Sequence, residues 1–263
     1  MILKHYLYRT AKDPLNFIML ILFPFVMLSI FIASNRAGLP FELRAFGNYC
    51  LQATNMLAFN VLFFQYFCGM IVTDFLYLEF RTDMRWRLMA TPKPFRSYVL
   101  SAIGASIVVS IINGVIVLTA ARFIFNAYFN IPITIAALLG LSIFVTLFGV
   151  LCFMVFPKKG TTTAVIMVFA FAQMLALNFG MIPLPGFGEV GVGSFLPLIA
   201  ATRAMQHADG MMFIFSNPEV GWEGGVTMLG TDMGTTFAHL GILAGLVAVV
   251  LVAVIIVGKR RKI

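Results

Sequence analysis

The chain has 263 residues, of which 61% are hydrophobic and only 11% charged, whereas a soluble domain carries about 25% charged residues. That balance excludes an ordinary soluble globule and points to an all-α polytopic membrane protein. The formal charge of +8 would suit nucleic acid, but its distribution along the chain assigns it to topology and lipid headgroups, so no nucleic-acid partner is expected.

Residues 1–13, MILKHYLYRTAKD, divide on a helical wheel. Ile2, Leu3, Tyr6 and Leu7 share one arc; Lys4, His5, Arg9 and Lys12 share the other. This is the pattern of an amphipathic helix in the headgroup region, basic face toward anionic lipid. Asp13 suits the cap of the next helix and Pro14 its first turn. The charged segment runs straight into an apolar stretch of full spanning length, so no cleavable leader is expected. Six apolar runs follow, at 15–34, 49–73, 97–121, 131–156, 161–182 and 235–257. Each reaches the ~20 residues that cross the hydrocarbon.

Between the second and third runs lies the segment 74–96, DFLYLEFRTDMRWRLMATPKPFR, which concentrates Asp74, Glu79, Arg81, Asp83, Arg85, Arg87, Lys93 and Arg96. Charges at that density are too costly for the bilayer core, so the segment is read as a water-exposed loop. On a 3.6-residue period, Tyr77, Phe80, Met84 and Leu88 form one apolar stripe, with Glu79, Asp83 and Trp86 on the far face. Asp83 and Arg87 stand at the favourable i,i+4 spacing. Thr91-Pro92-Lys93-Pro94 then stops the helix. A short amphipathic helix over Tyr77–Met89 is the expectation.

Alternation of the six runs sorts the loops. The side holding the N-terminus, 74–96, 157–160 and the C-terminal tail carries 14 of the 18 Lys and Arg. The positive-inside rule makes that side cytoplasmic, with both termini inside. The outer segment 183–234 is rich in Pro and Gly. Within it, Phe195–Phe215 is apolar but is interrupted by Arg203, His207 and Asp209, and reads as a short helix pair dipping into the outer leaflet. A seventh span there would put the basic tail outside.

Few chemical motifs are present. Cys50, Cys68 and Cys152 sit in apolar runs as small hydrophobes. Gly186-Phe187-Gly188-Glu189-Val190-Gly191 matches GxGxxG only by letters, since no βα unit surrounds it. His5, His207 and His239 show no metal-ligand spacing, so they are expected to be interfacial or bundle-facing. Mid-span polar groups are amides: Gln52, Asn55, Asn60 and Gln65, then Asn113, then Gln173 and Asn178. They fit interhelical hydrogen bonds of about 1 kcal/mol or less. They also fit a path for an amphiphile, with Phe59, Phe63, Phe64, Phe171 and Met174 supplying adaptable apolar contact. Gly241 and Gly245 form a small-residue stripe suited to helix packing.

Four features in order resemble the membrane subunit of ABC transporters of the ABC-2 permease class. They are the basic N-terminal helix ending Lys12-Asp13-Pro14; the inside loop Glu79-Phe80-Arg81-Thr82-Asp83-Met84-Arg85-Trp86-Arg87-Leu88-Met89-Ala90-Thr91-Pro92; the Pro-Leu-Pro outer loop with Leu196-Pro197-Leu198 and Thr202-Arg203-Ala204; and six spans closing on a basic tail. Thr82-Asp83-Met84 stands where the family often has a longer glycine-containing charged run. The resemblance implies a multi-pass permease in a prokaryotic cell membrane, without its own ATPase site or cofactor, ATP and Mg being held by a separate cytoplasmic ATPase subunit. It implies a second permease chain and export of an amphiphile such as an antibiotic, lipid, peptide or polysaccharide. It further implies that Tyr77–Met89 is the coupling helix, with Glu79, Arg81, Asp83, Arg85 and Arg87 around a Trp86 anchor, and that Gln52, Asn55, Phe59, Phe63, Phe171, Met174 and Asn178 line the path. A secondary carrier or a lipid-modifying membrane enzyme are the alternatives. The first lacks midplane carboxylates; the second has only His207 with Asp209 and no evident nucleophile.

Overall fold

The computed structural model describes residues 2–12, 18, 22–27, 29–30, 46–82, 95–125, 129–178, 192–209, 211–214, 225–228 and 232–260. Side chains of 46–61, 174–178 and the two strands lie outside this description, as do those of residues 2, 11, 95, 125 and 192.

The described chain is helical apart from one hairpin. In order it forms α1 (Ile2–Lys12), α2 (Phe46–Phe80), α3 (Phe95–Phe125), α4 (Ile131–Val155), α5 (Lys159–Asn178), a 3-10 turn (Val192–Phe195), α6 (Pro197–Ala208), β1 (Met211–Ile214), β2 (Gly225–Met228) and α7 (Met233–Arg260). Three helical stretches are long and apolar enough to cross a membrane: Arg96–Ile124, Ile131–Val155 and Met233–Arg260. Large apolar side chains such as Phe123, Val168, Phe237 and Val252 face outward. A soluble protein would not leave so much apolar surface to water, and the chain reads as a multi-pass membrane protein.

Local chemistry sets the helix ends. Asn130 caps α4 by accepting from Ile133 N–H at 3.5 Å, and Pro132 occupies its first turn, where no donor is needed. Phe156 is extended, as the residue before a proline prefers. Asp232 starts α7: its carboxylate accepts from Gly234 N–H at 2.9 Å and from Thr235 Oγ1. These bonds, the Thr235 hydroxyl first, hold the Asp232 carboxyl below its usual pKa. Basic Lys259 and Arg260 sit in the last turn of α7, the favourable end for cations.

The expected helix pair at 195–215 is corrected in its second half. α6 ends at Ala208, and β1 pairs antiparallel with β2, Met211 opposite Met228 and Ile214 opposite Gly225. Short apolar runs do not distinguish helix from strand by period, and the glycines at 210 and 224–225 punctuate the strands.

α4 is the hub. It packs against α2, α3, α5, α6 and α7. Its contact with α2 is backbone to backbone. A Cβ on Gly69 would meet the Val145 carbonyl oxygen at 2.9 Å, and one on Gly149 would meet the Gly69 oxygen at 2.6 Å. Small residues permit this approach between spanning helices. Gly241 and Gly245 on α7 meet no other helix within 4 Å of such a Cβ among the described residues; the close helix contact within the chain is at Gly69 and Gly149.

Candidate functional site

The expected coupling segment begins inside α2. Phe46–Phe80 contains no proline and runs for 35 residues, about 50 Å at 1.5 Å per residue. That length exceeds a ~30 Å hydrocarbon core. Tyr77, Glu79 and Phe80 are its last turn and not part of a separate helix; Arg81 and Thr82 form a bend. Asp83, Arg85, Trp86 and Arg87 lie outside the described residues.

Glu79 departs from expectation in its surroundings. The helical wheel placed it opposite Tyr77, and geometrically it is. Both are nevertheless buried, because α1 closes over one side of α2 and the α4–α5 corner over the other. Tyr6 is fully buried, and its hydroxyl donates to Glu79 Oε2. Burial raises the pKa of both groups above their ordinary values. For Glu79 the Tyr6 hydroxyl, then His5 and Arg9, pull the other way. Tyr6 thus remains a donor, and Glu79 has a built partner. The Tyr6 ring lies 4.7 Å from that of Phe75, and the Arg9 guanidinium lies 5.8 Å above Phe75. The apolar arc of α1 therefore seats partly on protein, while Lys4, His5 and Lys12 stay exposed.

On the other side, Tyr77 O–H donates to the Phe156 carbonyl at 2.5 Å and meets Thr162 Oγ1 at 2.9 Å. Asp74 and Lys159 form an ion pair at 3.0 Å, both partly exposed. Arg81 is exposed and lies 5.7 Å above the Phe153 ring. The end of α2 is thus held by α1, α4 and α5 together. This arrangement can transmit a displacement; its groups form no nucleophile–base pair.

Of the proposed path residues, Phe63 and Phe171 come together, ring centroids 5.4 Å apart and edge to face. Phe171 is 49% exposed, so this aromatic pair opens on the bundle surface. Gln52, Asn55 and Phe59 lie on α2, and Met174 and Asn178 on α5, with side chains outside the description. Gln173 is buried and joins three helices. Its Nε2 donates to Tyr66 Oη at 2.7 Å and to the Phe169 carbonyl. Its Oε1 accepts from Leu198 N–H at 2.9 Å, capping an α6 start that has no side-chain cap of its own.

The structure also gathers residues that spacing did not connect. His207 and His239 stack, centroids 5.4 Å apart. His239 Nδ1 lies 2.8 Å from the Thr235 carbonyl, which only accepts, so Nδ1 carries the proton. In the neutral ring, Nε2 then accepts from Ser194 Oγ at 3.0 Å. Ser194 and His239 are both fully buried. The Ser194 hydroxyl thus joins the 3-10 turn to α7. Cys68 and Cys152 are buried free thiols. Among the described residues no group of three or more metal-ligating side chains converges.

Comparison with protein-family models finds no match, and comparison with curated proteins finds none.

Proposed function

We propose that this chain is the permease subunit of an ATP-driven transporter of the ABC-2 class, six-spanning with both termini cytoplasmic. It exports a hydrophobic or amphiphilic substrate, works with a second permease chain, and leaves ATP and Mg to a separate ATPase subunit. The observation that carries this reading is the inner end of α2. A helix longer than the membrane ends in a turn gripped by α1 through Tyr6–Glu79 and by the α4–α5 corner through Tyr77. The charged sequence 83–93 continues directly from that grip. A force applied there would move α2 with α1 and α5 and not bend its tip. The outward-facing length of α7, of whose apolar window only 6% is buried, leaves surface for lipid or the second chain.

Trp86 is the proposed anchor in the ATPase. Replacing it with Ala should weaken association with the proposed ATPase subunit by at least about tenfold, as loss of an aromatic hot spot does. Substrate-stimulated ATP turnover should fall with it. Unchanged association and turnover would remove the anchor. If no such ATPase co-purifies with the wild-type chain, the secondary-carrier reading takes its place.

A further inference from the structure

We propose that the cleft beside Asn113 binds an uncharged hydrogen-bond acceptor. The acceptor is an oxygen, supplied either by water or by the carbonyl or ether group of an amphiphile in the bilayer. The cleft lies where the helical segment 23–27 meets α2 and α3, and it does not depend on the transporter reading. Pro24, Phe64, Gln65, Cys68, Asn113 and Val117 line it, around a space about the size of one water molecule.

Asn113 is only 7% exposed, and its Nδ2 has no acceptor among the described residues. The neighbouring polar belt does not serve it. Gln65 Oε1 accepts from Ser110 Oγ, and Ser110 meets Ser142 at 2.6 Å. Among the described residues, the Cys68 sulfur is the one neighbouring group toward which Asn113 is directed as a donor, but a thiol is a weak acceptor. A buried, unpaired amide donor is costly in a low-dielectric setting. Leucine has the same branching at Cγ and would carry no such cost. The amide is intelligible when its hydrogen reaches an acceptor that the chain does not provide.

The walls define the rest of the ligand. Among the described residues none that lines the cleft is charged, so a carboxylate or phosphate would meet no counter-ion there, which the bilayer interior penalises. Pro24, Phe64 and Val117 offer apolar contact to the methylenes of an amphiphile. Pro24 brings no N–H of its own, so the side-chain amides of Asn113 and Gln65 are the donors an oxygen would meet.

The test uses the purified full chain in lipid nanodiscs. Thermal unfolding is compared for wild type and Asn113→Leu, each with octyl acetate or a chain-matched alkane. With an occupied site, Asn113→Leu melts lower than wild type by about 3 °C. Octyl acetate raising the wild-type midpoint above the alkane control, but not that of Asn113→Leu, assigns an amphiphile oxygen. No such selective rise assigns water. An Asn113→Leu midpoint at or above wild type overturns the site whatever the ester does. Should that variant fail to fold, a density map of the wild-type chain that shows ordered waters decides. Density at hydrogen-bonding distance from Asn113 Nδ2 is required, and an empty cleft there overturns the proposal.

Discussion

The two ends of the bundle are fastened by different chemistry. At the Tyr77 end, the inner end on the proposed topology, α2 is held by a tyrosine–carboxyl bond, a tyrosine–carbonyl bond and an exposed ion pair. At the other end, α6 and the 3-10 turn are held by a buried amide, a hydroxyl–imidazole bond and stacked imidazoles. The first set mixes formal charge with water access. The second is buried, and the loss of one of its members leaves a polar partner unsatisfied. The buried joint should therefore be the more expensive to break one bond at a time, and the inner joint the more sensitive to its surroundings.

Gln173→Leu tests the buried joint most severely. It strands the Tyr66 hydroxyl and the Leu198 N–H together, and should cost about 3 kcal/mol at 1–3 kcal/mol per buried unpaired group. Thermal unfolding in nanodiscs reads this, and a loss below that of Tyr6→Phe would reverse the comparison. Tyr6→Phe at the inner end removes the donor to the buried Glu79 carboxyl and should cost about 2 kcal/mol, with faster proteolysis of α1. Asp209, at the C-cap of α6, tests how buried the far end is. Burial pushes its pKa up to about 6, against an opposing bond from Asn130 N–H at 2.6 Å. The folded state thus favours the protonated acid. Its contribution is full below about 4 and is lost as pH rises through about 6. Asp209→Asn should raise stability at pH 8 by about 1 kcal/mol and change little at pH 4; equal effects at both pH values would contradict burial as the cause. The smallest effect belongs to Lys159→Ala. Its ion pair with Asp74 is about half exposed, and exposed pairs contribute about 0.5 kcal/mol or less, vanishing in high salt.

What was legible in sequence followed its punctuation. α4 was expected at 131–156 and runs Ile131–Val155, because Asn130 with Pro132 opens it and Pro157 closes it. The helix of the first residues was equally plain from its two-sided wheel. The end of α2 was not, since Asp74 and Glu79 are tolerable helix residues and nothing before Pro92 forces a stop. Charge signalled the water boundary, and was mistaken for the helix boundary. The side chain of Glu79 was misjudged for a related reason: a wheel gives directions around one helix, but not which neighbours will close on both sides. Gln173 was recognised as an interhelical hydrogen-bonding candidate; that it caps another helix depends on the path of the chain through space. The His207–His239 stack had no sequence signal, because its partners lie on separate helices with the hairpin between them.

The glycine contact between α2 and α4 has a mechanical corollary. Where side chains separate two helices, the layer between them can shear as rotamers exchange. At Gly69 and Gly149 that layer is thinned to two valine side chains, Val145 and Val72, and main-chain oxygens come as close as those side chains do. Sliding there would press against the Val145 carbonyl, and rocking about the contact would pull on the Tyr77 bond to Phe156 at the end of α4. The crossing and that bond pin α2 to α4 at two separate points, so a side chain added at Gly69 or Gly149 would have to pry the two helices apart against both.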